Sequence, residues 1–177
     1  MSEKSYTLGG DEKATPVMVY TMTGLAWGEV ITKDQVRVNT YLRTLNPDYV
    51  SLYEAHLLPM GFAPNQAISF RELHIRTPKV IAFHLLPNAA EEPMDYDPAE
   101  ANRKMEPVTV LVGPFRFDAN IRISNLLDLA KYVEITKDRF VSLYDAAVTC
   151  PSMPKLGTVR TPLVLIRRDV SSFAPGT

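Results

Sequence analysis

Apolar and polar residues alternate along much of the chain, which predicts a protein built mainly from β-strands. From Phe115 to Ile123, every second residue is apolar and most of the residues between are charged or polar. This period indicates a strand with one buried face and one wet face. The same half holds three further predicted strands, at 108–112, 140–149 and 162–168. A short helix begins near 124–125 and carries an apolar stripe as far as Val133.

The N-terminal half fits the same order of elements. Strands are predicted at 17–22, 25–31, 49–57 and 79–86. A helix over 40–45 ends at Asn46-Pro47, because the residue before a proline disfavours the helical region. Both halves are thus predicted to run strand, strand, helix, strand, strand.

Three short patterns recur in this order and predict an internal repeat. Residues 49–55, Tyr-Val-Ser-Leu-Tyr-Glu-Ala, reappear at 140–146 as Phe-Val-Ser-Leu-Tyr-Asp-Ala. Arg-Thr-Pro opens an apolar run at 76–78 and again at 160–162, and Arg37 and Arg122 each enter a leucine-bearing segment. Recurrence of several patterns in one order favours a duplicated unit.

We therefore predict an α+β fold dominated by antiparallel strands. Two tandem β-rich repeats, each with one short helix, would pack with pseudo-twofold symmetry. The predicted boundaries are a flexible N-terminal tail at 1–15, a first repeat at 16–87, an acidic linker at 88–106, a second repeat at 107–170 and a C-terminal tail at 171–177. Within the linker, Asp97 before Pro98 predicts a capped helical turn.

The second repeat resembles a group of short bacterial domains. Arg-Ile-Ser-Asn-Leu-Leu at 122–127, followed by the heptapeptide at 140–146, is similar to their Arg-Leu-Ser-Asp-x-Leu-Asn and Phe-Ile-x-Leu-x-Asp-Ala patterns. The chain departs from that pattern at Asn125, and at Asn39 and Thr40 in the first repeat. The resemblance implies compact β-rich units in tandem and assigns no activity.

Composition narrows the classes of partner. The 177 residues carry a net charge of −1, which is not the strongly basic balance that nucleic-acid binding usually needs. Cys150 is the one cysteine, so an internal disulfide is excluded, which favours a reducing compartment. No run approaches the ~20 apolar residues of a membrane helix. We predict a cytoplasmic protein that binds neither membrane nor nucleic acid.

Catalytic and metal-binding patterns are missing from the sequence. His56, His74 and His84 have no metal-ligand spacing, and no Gly-x-Ser-x-Gly nucleophile turn occurs. Gly24 and Gly28 are too scattered for a phosphate loop and predict a bend or bulge within a strand. We predict a protein that is not an enzyme and uses no cofactor or metal.

Four arginines recur beside apolar residues and are the candidate ligand-binding residues: Arg37, Arg76, Arg122 and Arg160. In one interpretation they form related anion sites, since guanidinium groups bind carboxylate and phosphate bidentately. In the other, each pairs with the repeated carboxylate, Glu54 or Asp145, across neighbouring strands.

The predicted function is a non-catalytic structural or assembly module that self-associates through strand edges. Its predicted partners are further copies of the same chain, in a homo-oligomer, or another protein. The alternative is a small-ligand or nucleotide sensor that binds between the two repeats. An RNA-binding barrel would need a continuous basic face with aromatic side chains. Because basic residues do not interleave densely with the aromatics, we interpret the aromatics as core.

Overall fold

The chain divides into two compact units. The computed structural model describes residues 3–61 and 66–177. Unit 1 spans Met1–Glu92 and unit 2 spans Pro93–Thr177. Ten strands lie in the described residues, and every strand pair within a unit is antiparallel. The prediction of a mainly antiparallel β protein with short helices is confirmed.

Unit 1 is a five-stranded sheet in the order β5-β1-β2-β3-β4. Its strands are β1 (Glu12–Thr21), β2 (Gly24–Lys33), β3 (Tyr49–Pro59), β4 (Ile68–Arg76) and β5 (Ala82–Leu85). Between β2 and β3 lies α1 (Val38–Thr40), which continues as a single π-helical turn, Tyr41–Leu45. A 3-10 turn, Thr77–Lys79, separates β4 from β5.

Unit 2 is a five-stranded sheet in the order β10-β6-β7-β8-β9. Its strands are β6 (Arg103–Val112), β7 (Phe115–Ser124), β8 (Phe140–Thr149), β9 (Val159–Arg167) and β10 (Ser171–Pro175). The helix α2 (Leu129–Ile135) joins β7 to β8, and 3-10 turns occupy Pro154–Leu156 and Arg168–Val170. Strands β6, β7 and β8 begin 91 residues after β1, β2 and β3 (103 and 12, 115 and 24, 140 and 49).

Alternating apolar side chains build the core of each unit. In β6, Val108, Val110 and Val112 are almost fully buried, while the residues between them are partly or fully exposed. Tyr20 and Phe83 are the largest buried side chains of unit 1, and Phe117 and Phe140 are those of unit 2. Burying a side chain such as Val or Phe contributes about 1.5–3 kcal/mol. The interpretation of the aromatics as core is confirmed for Tyr20, Phe115, Phe117, Phe140 and Tyr144. It is wrong for Tyr49 and Phe70, which are exposed, and Phe62 lies outside the described residues.

A β-bulge interrupts the alternation in β3 and again in β8. Glu54 and Ala55 together lie opposite the single residue Gly28 of β2. Asp145 and Ala146 likewise lie opposite one residue of β7. The acidic residues Glu54 and Asp145 both adopt a left-handed conformation, with φ of 48° and 51°. This is the conformation of the first residue in a G1-type bulge. Gly28 lies opposite the β3 bulge rather than within it, and a Cβ there would lie 2.8 Å from the Tyr53 carbonyl oxygen. Gly24 is the first residue of β2.

Two strands were not predicted, and both lack the alternating signal. Seven of the nine residues of β4 are exposed, so its sequence shows no clean apolar face. Strand β10, Ser-Ser-Phe-Ala-Pro, contains one large apolar residue and pairs with β6. By contrast, β8 has the predicted bounds, 140–149. Backbone pairing forms a strand even where side chains give no period.

The predicted tails and linker need correction. Strand β1 begins at Glu12 within the supposed N-terminal tail, and β10 occupies the supposed C-terminal tail. The supposed linker at 88–106 contains the start of β6, and the boundary between the units falls inside it, after Glu92. One residue of this segment contacts unit 1: Glu91 accepts from the Val38 backbone N–H at 3.1 Å and pairs with Lys13 at 2.9 Å. The predicted Asp97 turn is present, with its carboxylate accepting from Ala99 N–H at 2.9 Å.

The cap of α2 is Asp128 rather than Ser124 or Asn125. Its side chain accepts from the Lys131 backbone N–H at 2.8 Å. Residues 124–127 instead form a turn closed by the Leu127 N–H on the Ser124 carbonyl, at 3.0 Å. An aspartate at this capping position satisfies one of the N–H groups that have no partner in the first turn of a helix.

Two of the three recurring patterns occupy different places in the two units. Arg37 lies at the start of α1, whereas Arg122 lies within β7. The first Arg-Thr-Pro ends β4 and opens a 3-10 turn, whereas the second lies inside β9. By strand pairing, Arg76 lies opposite Tyr49 in β3, and the residue opposite Phe140 in β8 is Arg167. The heptapeptide is the one pattern of the three that occupies matching places.

The bulge residue Asp145 offers a clean test of backbone strain, since it is exposed and forms no ion pair among the described residues. We expect Asp145→Gly to be more stable than Asp145→Ala by about 1 kcal/mol, because a Cβ is disfavoured in the left-handed region. Urea unfolding of both variants measures the difference. Equal stabilities would show that the chain relaxes out of this conformation, and Asp145→Asn is the polar control.

The buried His84 predicts a pH-dependent stability. Its Nδ1–H donates to the Leu85 carbonyl at 2.9 Å, so Nε2 accepts from the Tyr20 hydroxyl at 3.0 Å. Burial lowers the pKa of His84 below its usual value of 6.5. The unfolded chain therefore binds a proton first as the pH falls. The free energy of unfolding should drop below pH ~6.5, by up to about 1.4 kcal/mol per pH unit.

Urea unfolding at several pH values between about 7.5 and 5.5 measures this slope. The control is the double variant Tyr20→Phe with His84→Leu, which removes both polar groups together and leaves neither one unpaired. The double variant should show the smaller slope over this range. A slope identical to that of the wild type would exclude His84 as its source.

Candidate functional site

The bulges place a serine and a tyrosine on the outer face of each sheet. In β3, Ser51 and Tyr53 alternate with the fully buried Val50 and Leu52. In β8, Ser142 and Tyr144 alternate with Val141 and Leu143 in the same way. Each pair immediately precedes the left-handed acidic residue. The two hydroxyls of each pair therefore lie side by side on one strand, two residues apart.

In unit 2, an ordered arm formed by Asp95 and Tyr96 covers this pair. The Asp95 carboxylate accepts from Ser142 Oγ at 2.5 Å and from Tyr144 Oη at 2.6 Å. The Tyr96 ring packs edge-on against Tyr144, with centroids 5.0 Å apart. Charge-assisted hydrogen bonds of this length are stronger than hydrogen bonds between neutral groups. In unit 2, the chain itself thus supplies the carboxylate that binds the hydroxyl pair.

In unit 1, an arm at 4–6 lies on the matching strand but brings no carboxylate. The Tyr6 ring packs edge-on against Tyr53 at 5.5 Å. The Ser5 backbone N–H donates to Glu54 Oε1 at 2.5 Å, and this bond holds the pKa of Glu54 below its usual range. The Ser5 hydroxyl donates to the Arg71 carbonyl at 3.0 Å. The residue before the arm tyrosine is thus serine in unit 1 and aspartate in unit 2.

An open pocket of about 370 Å³ remains beside the arm of unit 1. Its lining includes four residues that carry hydroxyl groups: Tyr6, Tyr41, Ser51 and Tyr53. Burial and the neighbouring Tyr53 raise the pKa of Tyr41, so its phenol stays protonated. Within the described residues, neither the Tyr41 nor the Tyr53 hydroxyl has a hydrogen-bond partner.

Ser51 contacts a histidine on the next strand. Its Oγ lies 2.8 Å from His74 Nδ1, and His74 Nε2 lies 3.4 Å from a carboxylate oxygen of Glu72. The order serine, histidine, carboxylate is that of a hydrolase triad. However, His74 and Glu72 are both about half exposed, and Ser51 and His74 are directly paired residues of β3 and β4. Cross-strand pairing on a wet sheet face accounts for the contacts.

The other two histidines have separate environments. His56 stacks on Trp27, with nearly parallel rings whose centroids are 5.3 Å apart, and its buried Nδ1 has no hydrogen-bond partner among the described residues. His84 is engaged with Tyr20 in the core. No group of three or more His, Cys, Asp or Glu side chains within the described residues could hold a metal ion.

Two of the four candidate arginines bind segments of their own unit. Arg37 donates to the Glu92 carbonyl. Arg122 is nearly buried, with 12% of its side chain exposed, and pairs with Glu100 at 2.6 Å. It also donates to the Asp97 carbonyl at 3.1 Å and lies over the Tyr96 ring, 4.4 Å from its centroid. This pairing lowers the pKa of the Glu100 carboxyl, and Arg122 anchors the arm of unit 2.

The other two arginines are exposed. Arg76 ends β4 opposite Tyr49. Arg160 lies in β9 and lines a surface cavity of about 280 Å³ together with Asp145. Among the described residues, neither Arg76 nor Arg160 forms an ion pair. The predicted pairing of Arg122 with Asp145 is wrong because Glu100 lies closer, and Glu54 is bound by Ser5 instead of an arginine.

Strand β4 presents a long open edge. It pairs with β3 and with no other strand in the described part of the chain. It is nine residues long, with neither proline nor lysine, and its outer side chains include Ile68 and Phe70, which are 47% and 38% exposed. Most native edges are short, or carry lysine, proline or a bulge that prevents pairing. In unit 2 the edge strand β10 has five residues and ends at Pro175.

The chain matches no family model, no curated protein and no solved structure. The described residues contain no helix with the length and apolar character of a membrane span.

The two arms were missed from the sequence, although a signal for them exists. Tyr6 precedes Pro16 by ten residues, and Tyr96 precedes Pro107 by eleven. Both prolines are the fifth residue of their strands, β1 and β6. The polar composition around each tyrosine hides this spacing, because arm residues pack on an outer sheet face and need no apolar period.

Arg122 and Arg160 should differ sharply when each is replaced by alanine. We expect Arg122→Ala to cost about 1–3 kcal/mol, because it removes a nearly buried side chain and leaves its arm partners unpaired. Arg160→Ala should stay within about 0.5 kcal/mol, as is typical of exposed positions. Chemical denaturation gives both values. A neutral Arg122→Ala would show that the arm does not depend on this side chain.

Proposed function

We propose that the protein is a non-catalytic assembly module whose copies join through the β4 edge. The observation that carries this proposal is the nine-residue unpaired edge of β4 with exposed Ile68 and Phe70. An open edge presents a row of free N–H and C=O groups that another strand can pair. Although Arg71, Glu72 and Arg76 place charges along it, the edge carries no proline, lysine or bulge, so it is open to pairing by another strand.

The proposed occupant is β4 of a second copy, in an antiparallel pair about a twofold axis. A register centred on Leu73 places Glu72 opposite His74 of the second copy, twice. The same register places Phe70 opposite Arg76 of the second copy, where a guanidinium can lie over the ring. Favourable side-chain pairs across strands contribute roughly 0.2–1 kcal/mol each, whereas a register centred on Glu72 would place two carboxylates opposite each other.

The backbone of β4 is suited to this register. The Thr77 N–H donates to the Asp48 carbonyl at 3.0 Å. Because hydrogen-bonded positions alternate along an antiparallel strand, the N–H groups of Leu73 and Ile75 point toward β3. Those of Glu72 and His74 then point away from the sheet. These outward groups are the ones that the proposed register pairs.

We also infer that the two units are tandem copies of one β-rich module. Three features support this: the equal spacing of their first three strands, the acidic bulge residue shared by β3 and β8, and the arm tyrosine that packs on the same strand in each. On this interpretation, the module begins at the arm rather than at the first strand.

The alternative of a sensor that uses the four arginines receives less support. Arg122 is committed to the arm of unit 2, and Arg37 binds the Glu92 carbonyl. An arginine already engaged within its unit must break those contacts before it can bind an anion. The candidate anion-binding residues therefore reduce to the exposed Arg76 and Arg160.

Glu72→Pro should abolish self-association while leaving the β3–β4 ladder intact. Proline removes the outward N–H of Glu72, which forms no bond within the sheet. We expect a dimer for the wild type by analytical ultracentrifugation and a monomer for Glu72→Pro. Circular dichroism and thermal unfolding check that the variant folds.

The matched control is Glu72→Gln, which keeps the backbone N–H and should remain associated, with a weaker dimer. A wild type that stays monomeric at its highest soluble concentration would exclude the proposal. A dimer that survives Glu72→Pro would place the interface elsewhere.

A further inference from the structure

We propose that the hydroxyl-lined pocket of unit 1, formed by Ser51, Tyr53 and Tyr41, binds a carboxylate supplied from outside the chain. This inference shares His74 and Glu72 with the proposed β4 interface, but its central residues, Ser51, Tyr53 and Tyr41, lie outside that strand. It rests on a comparison within the molecule: the same serine and tyrosine arrangement holds a carboxylate in unit 2 and has none in unit 1.

Unit 2 shows which chemistry the pair recognises. One oxygen of the Asp95 carboxylate accepts from Ser142 and the other accepts from Tyr144, at 2.5 and 2.6 Å. Two hydroxyl donors on one strand thus hold both oxygens of one carboxylate. Short charge-assisted bonds and the two-point geometry together favour a planar acid group.

Unit 1 keeps the donors and lacks the acceptor. Ser51 and Tyr53 lie in β3 as Ser142 and Tyr144 lie in β8, with the same bulge after each pair. The arm residue before the tyrosine is Ser5, whose hydroxyl turns to the Arg71 carbonyl. The space beside the arm is the open pocket of about 370 Å³, large enough for a small organic acid.

The surroundings of Ser51 suit an incoming anion. When His74 carries a proton on Nδ1, it donates to Ser51 Oγ, which leaves the serine hydrogen free to donate to a ligand. Glu72 lies on the far side of His74, with a carboxylate oxygen 3.4 Å from Nε2. In unit 2, Leu165 rather than a histidine pairs with Ser142, so the histidine is particular to the open site.

Tyr41 supplies a third donor that the π-helical turn brings to the pocket. The turn Tyr41–Leu45 directly precedes the loop to β3. Its phenol and that of Tyr53 both line the pocket. Glu12 also lines the pocket, but it accepts from the Gly9 N–H at 2.9 Å and lies 3.6 Å from Lys33 Nζ. Its negative charge is only partly offset, because Lys33 also pairs with Asp11 at 2.9 Å.

The test is a titration followed by NMR and calorimetry with two carboxylate probes. Succinate represents a free organic acid, and the amide of N-acetylaspartate represents an aspartate side chain of a peptide. We expect one bound probe per wild-type chain, and the tighter probe identifies the source. If neither binds, or if inorganic phosphate binds more tightly than both, the proposal is wrong.

Ser51→Ala and Tyr53→Phe should each weaken binding roughly tenfold or more, as expected when a hydrogen bond to a charged group is lost. The matched control is Tyr49→Phe, which removes a hydroxyl from the same strand outside the pocket and should leave the affinity unchanged. Equal affinities across all three variants would overturn the proposal.

A gain-of-binding variant tests the comparison between the units directly. Asp95→Ser gives unit 2 the residue that unit 1 has before its arm tyrosine, and removes the internal carboxylate. We expect two probes per chain, with the second site lost again in Asp95→Ser/Tyr144→Phe. A folded Asp95→Ser that still binds one probe would contradict the inference. If this variant unfolds, the Ser51 and Tyr53 variants decide the question.

Discussion

The β-bulge in β3 and β8 is the constraint on which the outer face of each unit depends. An extra residue in a strand shifts the alternation by one position. Leu52 and Ala55, three residues apart, are therefore both buried, as are Leu143 and Ala146. The acidic residue between them turns into the left-handed region and stays at the surface. The serine and tyrosine before it remain on the outer face, where the arms pack.

Each arm converts an exposed sheet face into a specific surface. In unit 2, the Asp95 carboxylate accepts hydrogen bonds from both hydroxyls, and the Arg122 guanidinium lies over the Tyr96 ring. The polar groups of that face therefore bind partners within the unit. In unit 1, Ser5 binds the bulge carboxylate through its backbone, and the hydroxyl pair meets no carboxylate: Ser51 contacts His74 instead. The residue before the arm tyrosine is an aspartate that binds the hydroxyl pair in unit 2, and a serine that turns to the Arg71 carbonyl in unit 1.

The candidate site could be predicted only in part. The heptapeptide marked the right strands, because its residues form the bulge and the buried alternation around it. Its arginine partners were assigned wrongly: Arg122 pairs with Glu100, twenty-two residues earlier in the chain. Matching sequence patterns do not reveal which of several carboxylates lies nearest, since this depends on how a turn such as the one at Asp97 folds back over the sheet.

The sequence by itself determined the elements whose side chains alternate. Strand β8, the core valines of β6 and the bulge opposite Gly28 all follow from periodicity and from the size of glycine. Only the tertiary structure decided the placement of β4 and β10 and of both arms. These segments are held by backbone pairing and by polar contacts to distant residues, and neither leaves a period in the sequence. Local sequence patterns reflect which side chains are buried. The positions of edge strands and arms depend instead on contacts with residues that are distant in the sequence.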